Sequence, residues 1–158
     1  MRASRPFSIE FFETPHGEKP VLRWVREQLT VRQRRAFGCA VYRLLQKYGV
    51  GVCDTEFWRP LGGGLCEFRL RLSARTDGDA ALLRVFCHAT GDRVILLLGA
   101  YDKVRDSSKR RQAREIDVAR SRLAQYLARR RDADRNPKGD RAGMIYTSYL
   151  HHRDGMVA

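Results

Sequence analysis

The sequence is short of acidic residues, has few cysteines and contains no long apolar run, and each shortage excludes something. No stretch approaches the ~18 consecutive apolar residues that span a bilayer. Residues 1–10 hold Arg2, Arg5 and Glu10 and no apolar run, so no secretory signal is expected there, and the chain is expected in the cytoplasm. Cysteine occurs at Cys39, Cys53, Cys66 and Cys87 only, with no C-x-x-C pair. A zinc ribbon or a dithiol redox motif is not expected, and the thiols read as small buried hydrophobes. Acid is scarce: 18 Asp+Glu stand against 31 Lys+Arg, a formal charge of +13. Such a surplus needs a polyanionic partner, and nucleic acid ranks ahead of a membrane surface. The one basic helix candidate has too narrow an apolar stripe to lie in a bilayer interface.

Familiar catalytic patterns are missing too. No glycine-rich loop leads into a helix with a Lys-Ser/Thr pair, so a P-loop is excluded. Gly62, Gly63 and Gly64 lead into a strand instead. There is no H-x-x-x-H, no paired carboxylate motif and no legible Ser/His/Asp order. His151 and His152 form no metal motif, and no metal or other cofactor is expected.

What is present is a chain of one-domain length whose 43% hydrophobic content is enough for a core, which argues against a disordered basic tail. Residues 7–12 alternate as a short strand that can add to a sheet edge. Residues 21–29 fit a helix with Leu22, Val25 and Leu29 on one face. Thr30 and Gln33 match a capping box, the signature of a second helix start. Phe37, Val41, Leu44, Leu45 and Tyr48 then follow one helical face, which Gly49 and Gly51 stop. Residues 57–64 read as a loop with apolar anchors. Residues 65–72 and 81–88 alternate as strands, with a turn at 76–79 between them. Residues 94–98 form an apolar run expected as a central strand. Asp106 and Ser108 offer caps for a last helix with Ile116, Ala119, Leu123 and Leu127 as its stripe. From 102 to 131 the chain carries 11 Lys/Arg against 4 acids, a local charge of +7 and over half of the total. The expected fold is α+β: a small antiparallel sheet, two N-terminal helices and a C-terminal basic helix. The expected domain covers residues 1–131. Residues 132–158 form a C-terminal tail, with a flexible linker over 132–143 and a short apolar patch or disorder over 144–150.

Side chains two apart on a strand share a face. Glu67, Arg69 and Arg71 therefore lie together on one strand, and Arg84, Phe86 and His88 on its neighbour. Tyr101 and Lys103 follow the apolar strand and can meet the same surface. Two readings compete for these arginines: an ordinary solvated sheet face, or cations converging on one anion. Glu67 reads as an ion-pair partner that orients an arginine, and His88 as an ordinary strand histidine.

The run Trp58-Arg-Pro-Leu-Gly-Gly-Gly-Leu-Cys-Glu-Phe-Arg-Leu-Arg71 resembles a signature of the phage-derived HigB-type toxins of the RelE/ParE superfamily. Leu83-Arg-Val-Phe86, Leu96-Leu-Leu-Gly-Ala-Tyr-Asp-Lys103 and the basic run from Lys109 to Arg120 resemble its later motifs, in the same order. The resemblance covers about residues 7–128. It implies a RelE-like fold and the toxin of a type II toxin–antitoxin pair, a ribosome-dependent mRNA endoribonuclease that blocks translation. A gyrase-directed toxin of the ParE kind, or a non-catalytic basic nucleic-acid-binding protein, is the alternative.

The chemistry implied is metal-independent transesterification by the ribose 2′-hydroxyl. Position by position, the resemblance makes Arg69, Arg71, Arg84, Tyr101 and Lys103 the catalytic candidates, with Arg84 foremost for phosphate stabilisation. It makes Lys109, Arg110, Arg111 and Arg114 RNA-binding and Glu67 an orienting residue. Tyr101 or Lys103 is the candidate for proton transfer, with His88 behind them. The sequence departs from the family after the apolar strand: the lysine pair usual there appears as Asp102-Lys103-Val104, one positive charge fewer, with Arg105 as its candidate replacement. Implied partners are a cognate antitoxin of helix-turn-helix type, the ribosome with its mRNA, and operator DNA through the antitoxin complex. No membrane partner is implied.

Overall fold

The computed structural model describes residues 7–46, 57–72 and 80–136. The stops at Gly49 and Gly51, Tyr48, the turn at 76–79 and the segments 137–143 and 144–150 lie outside the described residues. The elements are β1 (Ser8–Phe11), α1 (Pro20–Gln28), α2 (Val31–Ala40) with a π-helical continuation (Val41–Gln46), β2 (Trp58–Gly62), β3 (Leu65–Leu72), β4 (Ala81–Ala89), β5 (Val94–Asp102) and α3 (Lys109–Arg135). The fold is α+β. Contacts divide the chain into two units, residues 1–123 and 124–158.

The five strands form one sheet in the order β1-β5-β4-β3-β2. It is mixed, which corrects the antiparallel sheet expected. β2 to β5 are antiparallel neighbours. β1 instead lies parallel to β5, with Ser8 opposite Val94 and Phe11 opposite Leu97. Parallel pairing needs a crossover, and the long excursion between β1 and β5 supplies one. Residues 57–64 are corrected as well, since most of them form edge strand β2. Only Trp58 of that strand is buried, so its alternation is too brief to read. Pro60, which cannot donate to a ladder, is tolerated at an edge and sits at a register shift. The apolar strand β5 runs on to Asp102 and lies beside β4, which holds the middle of the sheet.

Pro20 at the first turn suits the start of α1, because a first-turn amide has no helical partner. Its buried residues are Val21 and Val25, so Val21 takes the place expected for Leu22. The capping box forms as the sequence indicates: the Gln33 amide donates to Thr30 Oγ1 at 3.2 Å, and the Thr30 amide to Gln33 Oε1 at 2.9 Å. Val21, Val25, Leu29 and Phe37 of this helical pair share a core with one sheet face, including Phe68, Leu83, Val85 and Leu97. Glu67, Arg69, Arg84 and Tyr101 occupy the other face.

Two devices fix the strand ends. Gly62, Gly63 and Gly64 take φ of +87°, +63° and +81°, the left-handed region where glycine is favoured, and turn β2 into β3. Asp102 Oδ1 accepts the Leu82 and Val104 amides, each at 3.0 Å, which pins the start of β4 to the end of β5.

The last helix is capped by Ser108, whose Oγ accepts the Arg111 amide at 3.1 Å. Hydrogen bonds from Ser108 hold the Asp106 carboxyl below its ordinary range. Ala119 and Leu123 are its buried residues. Gly99 faces the helix, where a Cβ would make ordinary contacts, 3.4 Å from Phe86 Cδ2 and 3.8 Å from the Ala119 methyl. α3 continues through Arg131 to Arg135, so the first residues of the expected linker are helical. In the second unit, Arg130 Nη1 donates to the Tyr126 hydroxyl at 3.2 Å. No helix among the described residues is long and apolar enough to cross a membrane.

Candidate functional site

Register builds the site. β3 and β4 place Arg69 opposite Arg84, and β4 and β5 place Arg84 opposite Tyr101. Three polar side chains therefore stand in a row across three strands. Glu67 lies two residues before Arg69 on the same face. Its side chain is 0% exposed, with Oε1 3.2 Å from Arg84 Nε and 3.5 Å from Arg69 Nε. Neither contact has the alignment of a hydrogen bond, so both are charge–charge contacts. Arg84 is nearly as buried, at 9% side-chain exposure, while Arg69 reaches solvent at 36%. One carboxylate shared by two guanidiniums leaves a net positive group. Arg59, opposite Glu67 on β2, adds another cation to that face.

Tyr101 closes the row. Its hydroxyl is buried and has no hydrogen-bond partner among the described residues. Its ring stacks on Phe86, with centroids 6.2 Å apart and planes at 15°. The Arg111 guanidinium lies 5.6 Å from the ring centroid. Burial raises the phenol above its ordinary value and the Glu67 charge raises it further, with Arg84 opposing. Burial lowers Arg84, Glu67 opposes that, and Arg69 lowers it again.

The first unit's part of α3 covers this face. Arg111 Nε donates to Glu115 Oε1 at 2.7 Å. Arg120 donates to the Leu61 and Gly62 carbonyls at 2.7 and 3.1 Å, fastening the helix to the end of β2. Arg122 donates to the Leu98 carbonyl at 2.7 Å, and burial lowers its pKa. A cleft of about 250 Å³ opens beside Arg111, with Trp24, Glu115 and Arg122 in its walls. A second, of about 340 Å³, shares Trp24 and Arg111 and reaches Arg105 and Asp106.

The structure thus gathers Glu67, Arg69, Arg84 and Tyr101. It does not gather all of the sequence candidates. Arg71 continues the face outward, exposed and opposite Leu82. Lys103 is half-buried just beyond β5, where its amide donates to the Leu82 carbonyl at 2.9 Å. Among the described residues, no ion pair joins Arg71 or Lys103 to Glu67. His88 serves the glycine turn, with Nδ1 2.8 Å from the Gly64 carbonyl oxygen. Lys109, Arg110 and Arg114 are exposed on the first turns of α3. Arg111 parts from them and packs over Tyr101.

Sequence reasoning missed Arg59 and Glu115. Arg59 was hidden because its strand reads as a loop. The signal for Glu115 was its spacing of four from Arg111 on a helix.

No group of three or more His, Cys, Asp or Glu among the described residues could hold a metal ion. The chemical capacity of the cluster lies elsewhere. Two guanidinium forks suit phosphate oxygens, and a phenol beside them carries a proton that can be donated. Comparison with known protein families and with curated proteins finds no match for this chain.

Proposed function

We propose that this chain is a metal-independent endoribonuclease acting on ribosome-bound mRNA, the toxin of a type II toxin–antitoxin pair with a RelE-like fold. The observation that carries the proposal is the row Arg69–Arg84–Tyr101 over the buried Glu67. The HigB-type resemblance supplies the substrate and the partners: the ribosome with mRNA, a helix-turn-helix antitoxin, and operator DNA through the antitoxin complex.

The step uses the substrate's own nucleophile. The ribose 2′-hydroxyl oxygen attacks the adjacent phosphorus, and the bond to the 5′-oxygen breaks. The products are a 2′,3′-cyclic phosphate and a 5′-hydroxyl. Arg84 and Arg69 stabilise the charge that develops on the phosphate oxygens. Glu67 touches both guanidiniums and positions them. Tyr101 stands at the end of the row, opposite Arg84, and its hydroxyl is the acid that gives the leaving 5′-oxygen its proton. Lys109, Arg110 and Arg114 hold the RNA backbone without reading bases. Orientation of the mRNA by the ribosome supplies the remaining positioning.

The burial of Arg84 and Tyr101 favours a second reading, in which the cluster is an internal support and the basic surface binds nucleic acid without cutting it. Primer extension on translating ribosomes separates the two. The nuclease reading expects new 5′ ends with the wild-type chain and their loss with Arg84→Ala. Salt-sensitive RNA binding with intact mRNA would replace it with the binding reading.

A further inference from the structure

Two of the four cysteines, far apart in sequence, meet in the sheet. Cys66 on β3 stands directly opposite Cys87 on β4. Both carry thiols, Cys66 partly exposed and Cys87 buried. The Arg69 amide donates to the Phe57 carbonyl on the β2 side. Backbone groups alternate along a strand, so those of Phe68 and Cys66 turn toward β4. The Cys66/Cys87 pair is therefore of the hydrogen-bonded kind, whose Cα atoms stand about 5.5 Å apart. A disulfide requires about 4.4–6.8 Å between Cα atoms, so the pair falls inside its range. Opposed side chains on one sheet face also start with their Cβ atoms about 5 Å apart, within roughly an ångström of disulfide distance. Both residues border irregular ladder: Cys66 pairs with Pro60 where β2 shifts register, and Cys87 follows the shift between β4 and β5. Such bulges give the backbone room for the small approach required.

We propose that Cys66 and Cys87 form a reversible oxidation site, closed by a low-molecular-weight disulfide such as oxidised glutathione. Cys66, the accessible thiol, attacks first. Its thiolate sulfur bonds to one sulfur of the oxidant, the oxidant's S–S bond breaks, and one glutathione thiolate leaves. The Cys87 thiolate then attacks the Cys66 sulfur, forming the cross-strand bond and expelling the second glutathione thiolate. The two protons released by the cysteines pass to the two departing thiolates. The protein is oxidised by two electrons and the oxidant is reduced by two. A small dithiol reverses the exchange, because a cross-strand bond at a hydrogen-bonded pair carries strain and strained disulfides are the reducible ones. The bond ties β3 to β4 one register step from Glu67 and Phe86. The inference stands on the register alone and holds whether or not the chain cleaves RNA.

The test treats the folded full-length chain with oxidised glutathione, then applies intact mass and peptide mapping. The expected result is a Cys66–Cys87 linked peptide short of two hydrogens and free of glutathione, reversed by dithiothreitol, with any glutathione on the exposed Cys39 scored apart. In Cys87→Ala the second step has no attacker, so one glutathione should stay on Cys66. In Cys66→Ser both signals should vanish. Linkage through Cys39 or Cys53 in place of this pair would overturn the proposal. So would an unmodified Cys66 in both the wild type and folded Cys87→Ala.

Discussion

Replacing Glu67 by glutamine is the most informative perturbation of the cluster. The change keeps the shape and removes the single charge that holds two guanidiniums at 3.2 and 3.5 Å. The Arg69 contact is partly exposed, so water takes up most of its loss. Arg84 is at 9% side-chain exposure and has no such relief. Breaking a buried pair from one side leaves an unbalanced charge and costs about 3 kcal/mol. For a domain of this size, that lowers Tm by roughly 6–12 °C. Removing both charges should behave differently, because apolar replacement of a whole buried pair is often neutral. The double variant Glu67→Met with Arg84→Met should therefore melt above Glu67→Gln. Differential scanning calorimetry measures both. The reasoning fails if Glu67→Gln melts with the wild type, or if the double variant is the least stable of the three.

Four further outcomes are expected. Tyr101→Phe removes a buried hydroxyl that has no hydrogen-bond partner among the described residues, so it should stabilise the fold by about 1 kcal/mol in urea melts, while slowing RNA cleavage about a hundredfold or more. The Tyr101 phenol is raised on folding, so its contribution is fully present below its unfolded value near 10.0 and is lost as pH rises through the folded value. Wild-type stability should accordingly fall more steeply than that of Tyr101→Phe above about pH 10, read by denaturant titration at stepped pH. Gly64→Ala puts a side chain at φ +81°, 3.0 Å from His88 Nδ1, and should lower stability by about 1–2 kcal/mol in the same melts, from the left-handed backbone alone. Thr30→Ala opens the capping box and should cost about 1 kcal/mol, with early loss of amide protection at the start of α2.

What the sequence made legible was local. The capping box at Thr30 and Gln33 needs only four consecutive residues, and it forms as read. The face shared by Glu67 and Arg69 follows from strand alternation alone. What was not legible was distant or irregular. The parallel seat of β1 depends on a partner more than eighty residues away, which periodicity cannot report. β2 was hidden by its length, its proline and its single buried residue. Its concealment also hid Arg59, which the sheet places opposite Glu67. The convergence of Arg84 with Arg69 could be foreseen as a possibility, but the exact partner of each residue is a matter of register. The same limit applied to Cys66 and Cys87, which sequence spacing treats as unrelated.

The central claim is that the sheet cluster cleaves RNA, and Tyr101→Phe on translating ribosomes tests it most directly, because the variant is expected to remain folded. Wild-type chain should generate fragments ending in 2′,3′-cyclic phosphate and beginning with a 5′-hydroxyl, and Tyr101→Phe should leave the same mRNA largely intact at equal protein concentration. Equal cleavage by both chains, or none by the wild type, would contradict the assignment.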